Sequence, residues 1–182
     1  MKRLHRVLFI TLMGVLLISS TVLAAENLVA NPSFEEGEAE GWPVGYAGFQ
    51  ALKSYGDGAM LVKDFARTGS WSLKFYNPSE DVALGLVSLP VSAEAGKTYK
   101  ASAYVLTEPG SGKASLYIEF LNEKKARVSA TWVQSQSTDT WELLEITEKA
   151  PEGTAYVGLI IYRPKTQKGV HYYDDLSIVV VQ

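Results

Sequence analysis

Lys113-Ala114-Ser115-Leu116-Tyr117-Ile118-Glu119-Phe120-Leu121 alternates in polarity at every second residue. Side chains of an extended strand point to opposite faces in turn, so Ala114, Leu116, Ile118 and Phe120 make one apolar face. Ser115, Tyr117 and Glu119 make the other, a mixture of a hydroxyl, a carboxylate and an aromatic ring. The same pattern recurs on either side. In 98–106, Tyr99, Ala101, Ala103 and Val105 oppose Lys100, Ser102 and Tyr104. In 155–162, Val157, Leu159 and Ile161 oppose Tyr156, Gly158, Ile160 and Tyr162. A helical period of 3.6 fits none of these segments.

Working outward, short apolar runs separated by Gly, Pro, Asn or Asp give strands over 28–34, 49–53, 60–63, 70–76, 82–91, 98–106, 113–121, 127–134, 141–148, 155–162 and 170–181. Glu108-Pro109-Gly110-Ser111-Gly112 and Ala150-Pro151-Glu152-Gly153 carry the residues that reverse a chain. Many short strands with regular turn signals and no amphipathic helix predict an all-β, antiparallel β-sandwich or barrel.

Residues 1–24 read differently. Lys2, Arg3 and Arg6 precede an apolar stretch over 7–18, and Val22-Leu23-Ala24 supplies a small-residue cleavage site. This is the pattern of a secretory signal peptide, and the stretch is shorter than the roughly 20 apolar residues of a membrane span. The expectation is export, with one domain over 25–182 and no membrane span after cleavage. The leader holds three basic and no acidic residues, so 14 basic and 20 acidic residues remain, a net charge of -6. Such a chain has no basic footprint for nucleic acid. It has no cysteine, which rules out a disulfide framework.

Catalytic chemistry finds little to work with. His171 is the only histidine beyond the leader. There is no Gly-x-Ser-x-Gly elbow and no glycine-rich phosphate loop. Glu142, Glu145 and Glu148 do not share one strand face. The sequence therefore reads as non-enzymatic.

Near the start of the domain stands Asn31-Pro32-Ser33-Phe34-Glu35, followed by Gly41-Trp42. Arg67-Thr68-Gly69-Ser70-Trp71-Ser72-Leu73, Gly96-Lys97-Thr98-Tyr99, Thr140-Trp141 and Tyr172-Tyr173-Asp174-Asp175-Leu176-Ser177-Ile178 come after it in order. Together these motifs resemble bacterial carbohydrate-binding modules of the family-4 and family-22 type, which are galactose-binding-like jelly rolls. The resemblance implies a structural calcium tying the two chain ends. Carboxylates would come from Glu35 and Asp174, and backbone carbonyls from near Ser33, Thr68 and Trp71. Glu36 and Asp175 stand beside these carboxylates as alternatives. Calcium is a hard cation that takes about six to eight oxygens, so the donor types suit it.

The resemblance also implies polysaccharide or oligosaccharide bound on a concave sheet by aromatic stacking. Tyr104, Tyr117 and Tyr162 are the candidate rings, with Ser102, Glu119 and Arg163 as polar partners. Trp132 shares parity with Val128 and Ala130, which suggests core, although the family often carries a ligand-binding aromatic on this strand; both readings stay open. Trp42, Trp71 and Trp141 read as packing residues. Standing as its own exported polypeptide, such a module is expected to assist a separately secreted glycoside hydrolase or a transporter. The competing reading is an envelope interaction domain that keeps the fold without sugar binding.

Overall fold

The computed structural model describes residues 25–39, 42–48, 58–165 and 167–181. The expected leader and the expected strand over 49–53 lie outside the described residues. Among the described residues every regular element is a strand and every strand pairing is antiparallel. Thirteen strands are found there in chain order: β1 (Glu38–Ala39), β2 (Trp42–Pro43), β3 (Tyr46–Gly48), β4 (Ala59–Val62), β5 (Ser72–Asn77), β6 (Leu84–Ser88), β7 (Val91–Ser92), β8 (Thr98–Thr107), β9 (Ser115–Leu121), β10 (Arg127–Gln134), β11 (Trp141–Lys149), β12 (Tyr156–Arg163) and β13 (Gly169–Val181). One large sheet has the order β11-β8-β13-β5-β4, a second has β10-β9-β12-β6-β3 with β7 also pairing with β12, and β1 and β2 form a separate two-stranded pair. The crossed strand order is that of a jelly roll, not of a simple meander.

The alternation read from the sequence is the alternation observed. Tyr99, Ala101, Ala103 and Val105 of β8 and Leu116, Ile118 and Phe120 of β9 are buried between the sheets. Val157, Leu159 and Ile161 of β12 join them. Two tyrosines bridge the layers. Tyr99 meets Phe120 edge-on, with centroids 5.8 Å apart. The Tyr173 hydroxyl donates to the Ser115 carbonyl at 3.2 Å and accepts its N–H at 3.1 Å. A buried phenol satisfied in this way keeps the apolar value of its ring.

Two expected strands come out differently for local reasons. Residues 28–34 form turns, with Phe34 N–H bonded to the Asn31 carbonyl and positive φ at Asn31 and Phe34. Leu28 and Pro32 nonetheless reach β13 through bonds to Ile178 and Leu176. The 82–91 run is interrupted where Pro90, which has no N–H to give a ladder, separates β6 from β7.

A bulge in β13 redirects its acidic pair. Asp174 pairs with Tyr104 and Ser177 with Ser102, so three steps on β13 match two on β8. The extra residue is accommodated with Asp175 at φ 50°, a left-handed conformation that aspartate tolerates. Before the bulge Tyr173 points inward. After it Leu176 and Ile178 do, and both carboxylates engage the loop that precedes β5.

Candidate functional site

The outer face of the β10-β9-β12 sheet gathers aromatic rings. Trp132 stands opposite Tyr117 across the β9–β10 ladder, and Ile160 stands opposite Tyr117 across β9–β12. The Tyr117 and Trp132 rings lie 5.6 Å apart at 25°, close to parallel. Tyr162 meets Tyr117 edge-on at 5.7 Å. Trp132 is 59% exposed, far more than an indole left to packing alone. Tyr117, Arg127, Ile160 and Tyr162 line a cleft of about 280 Å³.

The cleft has one charged edge. Arg127 reaches Glu119 Oε2 through both Nε and Nη2 at 3.0 Å. The pair is fixed where β9 and β10 lie side by side. Partial burial and the neighbouring Tyr162 push the Tyr117 hydroxyl above its ordinary pKa, against the pull of Arg127. It therefore stays a neutral donor and acceptor at physiological pH. The face offers two stacked rings, a third set across them, and a guanidinium–carboxylate pair able to donate and accept hydrogen bonds.

Of the residues expected to bind sugar, Tyr117, Glu119, Trp132 and Tyr162 are brought together here. Trp132 shares parity with Ala130 as read, but that parity marks the outer face, opposite Tyr117 and Glu119. Val128 is the extra residue of a bulge between Arg127 and Ser129 and is 38% exposed. Tyr104 is corrected to the other sheet. It lies on β8, where the Arg67 guanidinium sits 3.3 Å above its ring. Ser102 is on that same sheet and bonds Ser177 at 2.8 Å. Arg163 is corrected to the inner face, wholly buried in step with Val157, Leu159 and Ile161. Arg127 and Ile160 were not anticipated. The signal for Arg127 was its place at the head of β10, where a hairpin brings it alongside β9.

The other tryptophans serve packing. Trp42 packs against the core and fills the space over Gly48, where even a Cβ would lie 2.1 Å from the indole. Trp71 lies under Lys63 Nζ at 4.5 Å. Trp141 opens β11 half-buried, opposite Leu106.

The chain ends meet as their motifs implied. Glu35 Oε1 accepts N–H bonds from Ser70 at 2.9 Å and Trp71 at 2.8 Å. Asp174 Oδ2 accepts from Arg67 N at 2.8 Å and Thr68 N at 3.1 Å, while its Oδ1 accepts from Asp175 N at 2.8 Å. Asp175 takes hydroxyl bonds from Ser33 and Thr68 and an ion pair from Arg67. Burial pushes the Asp174 carboxyl up, opposed by its three backbone donors. Partial burial also pushes Asp175 up, but the bonds from Thr68, Ser33 and Arg67, with the charge of Arg67, outweigh it and hold Asp175 below its ordinary value.

In this arrangement Thr68 and Trp71 turn amide N–H groups toward Asp174 and Glu35, and Arg67 supplies positive charge beside Asp175.

No protein-family model matches the sequence, and no curated protein sequence matches it. Solved structures do resemble the fold. The CBM22-1 xylan-binding domain of Paenibacillus barcinonensis Xyn10C is 19% identical with a TM-score of 0.60, covering 87% of this chain and 97% of that one. TmCBM61, solved with β-1,4-galactotriose, is 16% identical with a TM-score of 0.54, covering 86% and 100%. The enzymatically active domain of bacteriophage CBA120 tailspike protein 4 is 13% identical with a TM-score of 0.65; this chain is covered over 85% of its length but spans only 21% of that one. The chain is an antiparallel β-sandwich with the jelly-roll fold that carbohydrate-binding modules share.

Proposed function

We propose that the protein is a non-catalytic carbohydrate-binding domain whose site is the outer face of the β10-β9-β12 sheet. One observation carries this reading: Trp132, Tyr117 and Tyr162 converge there around the Arg127–Glu119 pair. The axial C–H groups of a pyranose are slightly positive and suit the negative face of an aromatic ring. Its hydroxyls require donors and acceptors at the platform's edge, which Arg127, Glu119 and the two tyrosine hydroxyls offer. The ligand is a polysaccharide or oligosaccharide. The protein is exported through the 1–24 leader and works beside a secreted glycoside hydrolase or a transporter.

Affinity electrophoresis against soluble xylan, β-glucan and galactan tests it. Retardation by at least one polymer, lost on Trp132→Ala, is the expected result. Unretarded migration on every polymer would remove the sugar-binding reading and leave the fold alone.

A further inference from the structure

Arg163 ends β12 on its inner face, with its side chain wholly buried. A guanidinium keeps its charge in proteins and brings five N–H donors. The hydrogen bond that holds it runs from Nη1 to the Gly112 carbonyl at a long 3.4 Å. Nε and Nη2 find no acceptor among the described residues. These two form the side of the guanidinium whose N–H groups point the same way and grip an anion together.

Among the described residues no carboxylate pairs with that charge: none of the salt bridges there includes Arg163. Gln167 Oε1 and His171 Nε2 also lack partners among the described residues, as do the buried hydroxyls of Ser72 and Thr154. A Cβ at Gly112 would lie 3.3 Å from both Arg163 Nη2 and Gln167 Cβ, so the fork and Gln167 meet beneath that glycine. Burial and the charge of Arg163 depress His171 to a pKa of about 3, so it is neutral there. Burial likewise pushes the Tyr173 hydroxyl up and keeps it protonated. The cluster thus holds one net positive charge in a low-dielectric interior. An unpaired buried charge costs several kcal/mol, and arginine, unlike lysine, does not escape by losing its proton.

We propose that the Arg163 fork, beneath Gly112 and beside Gln167 and His171, binds a small monovalent anion of the size of chloride or bromide. Neutral water can accept the N–H bonds but leaves the charge unbalanced. The surroundings suit an anion. Gln167, turned about its last torsion, presents its NH₂ in place of its oxygen. His171 Nδ1 lies 3.2 Å from the Thr107 hydroxyl, so the tautomer protonated at Nε2 accepts from Thr107 and keeps a second donor. The fork lies on the inner face of β12, which separates it from the sugar-binding outer face, and its burial favours a ligand of one or a few atoms.

Thermal unfolding in sodium bromide, with ionic strength held constant by sodium gluconate, tests the site on the unaltered protein. The melting temperature is expected to rise by about 5 °C between 1 and 100 mM bromide, and Arg163→Met to abolish that rise. Equal responses in the two proteins, or none in either, overturn the proposal and assign the fork to water. Should Arg163→Met fail to fold, bromide-grown crystals decide the matter. Anomalous density within hydrogen-bond distance of Nε and Nη2 supports the anion, and its absence overturns it.

Discussion

Trp132 and Tyr117 are directly opposed residues of adjacent antiparallel strands, and their rings lie nearly parallel 5.6 Å apart. Opposed positions hold their Cβ atoms about 5 Å apart, so the ladder sets the spacing of the two rings. A platform built on a ladder is rigid before ligand arrives, and little ordering entropy is lost when ligand binds.

Trp132→Ala is therefore expected to separate binding from folding. With 59% of the residue already exposed, its removal should shift the melting temperature by no more than about 2 °C. Polysaccharide affinity should fall about tenfold or more, equivalent to about 1.4 kcal/mol or more. Affinity electrophoresis beside a melt checks both halves. A variant that loses stability and binding together would show that the indole is structural.

The clasp between chain ends should depend on Arg67 and Asp174 and not on divalent metal. Asp174→Ala leaves the N–H groups of Arg67, Thr68 and Asp175 without their acceptor. A loss of about 2–4 kcal/mol is expected in denaturant unfolding. Gly69→Ala should be damaging too, because φ is 62° and the new Cβ would lie 2.5 Å from Glu35 Oε1. EDTA should leave the wild-type melt unchanged; a drop of several degrees on chelation would show that a cation contributes after all.

Acid should destabilise the protein through His171. Its pKa is about 3 in the fold against an ordinary 6.5, so the folded state binds its proton more weakly. That contribution is complete above 6.5 and is lost as pH falls toward 3, at up to about 1.4 kcal/mol per pH unit. His171→Gln should flatten the stability profile across that window. An unaltered slope would place the acid sensitivity elsewhere.

The two neighbouring aspartates should act in opposite senses at acid pH. Asp175, held low, contributes stability that is present above its unfolded pKa and is lost as pH falls through its folded one. Asp174, pushed up, makes a contribution present below the unfolded pKa and lost as pH rises through the folded one. Comparing melts of Asp175→Asn and Asp174→Asn from about pH 2 to 6 should give profiles that differ from wild type with opposite sign.

Tyr173→Phe should cost about 1–3 kcal/mol although the ring remains. The Ser115 N–H and carbonyl both lose the phenol that joins β13 to β9. Urea unfolding measures the loss. A change below about 0.5 kcal/mol would mean that water replaces the hydroxyl.

The strand class and the grouping of side chains into faces were legible in the chain alone, because an extended backbone sends alternate residues to opposite sides whatever surrounds it. Tyr117 with Glu119, and Tyr104 with Ser102, could be grouped for that reason. The meeting of the Asn31–Glu35 and Tyr172–Ile178 motifs was legible too. Which face meets the other sheet emerged only on folding. Trp132 keeps the parity read for it yet lies outside, since strand order places it against Tyr117. Tyr104 has the right kind of face on the wrong sheet. Arg163 alternates with core residues, and its charge argued for the surface, but the parity of β12 carried it inward. The bulge at Asp175 shifts the phase of β13 and aims both aspartates at a loop 107 residues away in the chain. Periodicity is local and is written in the chain, whereas strand order and the pairing of faces come from non-local contacts that no single stretch contains.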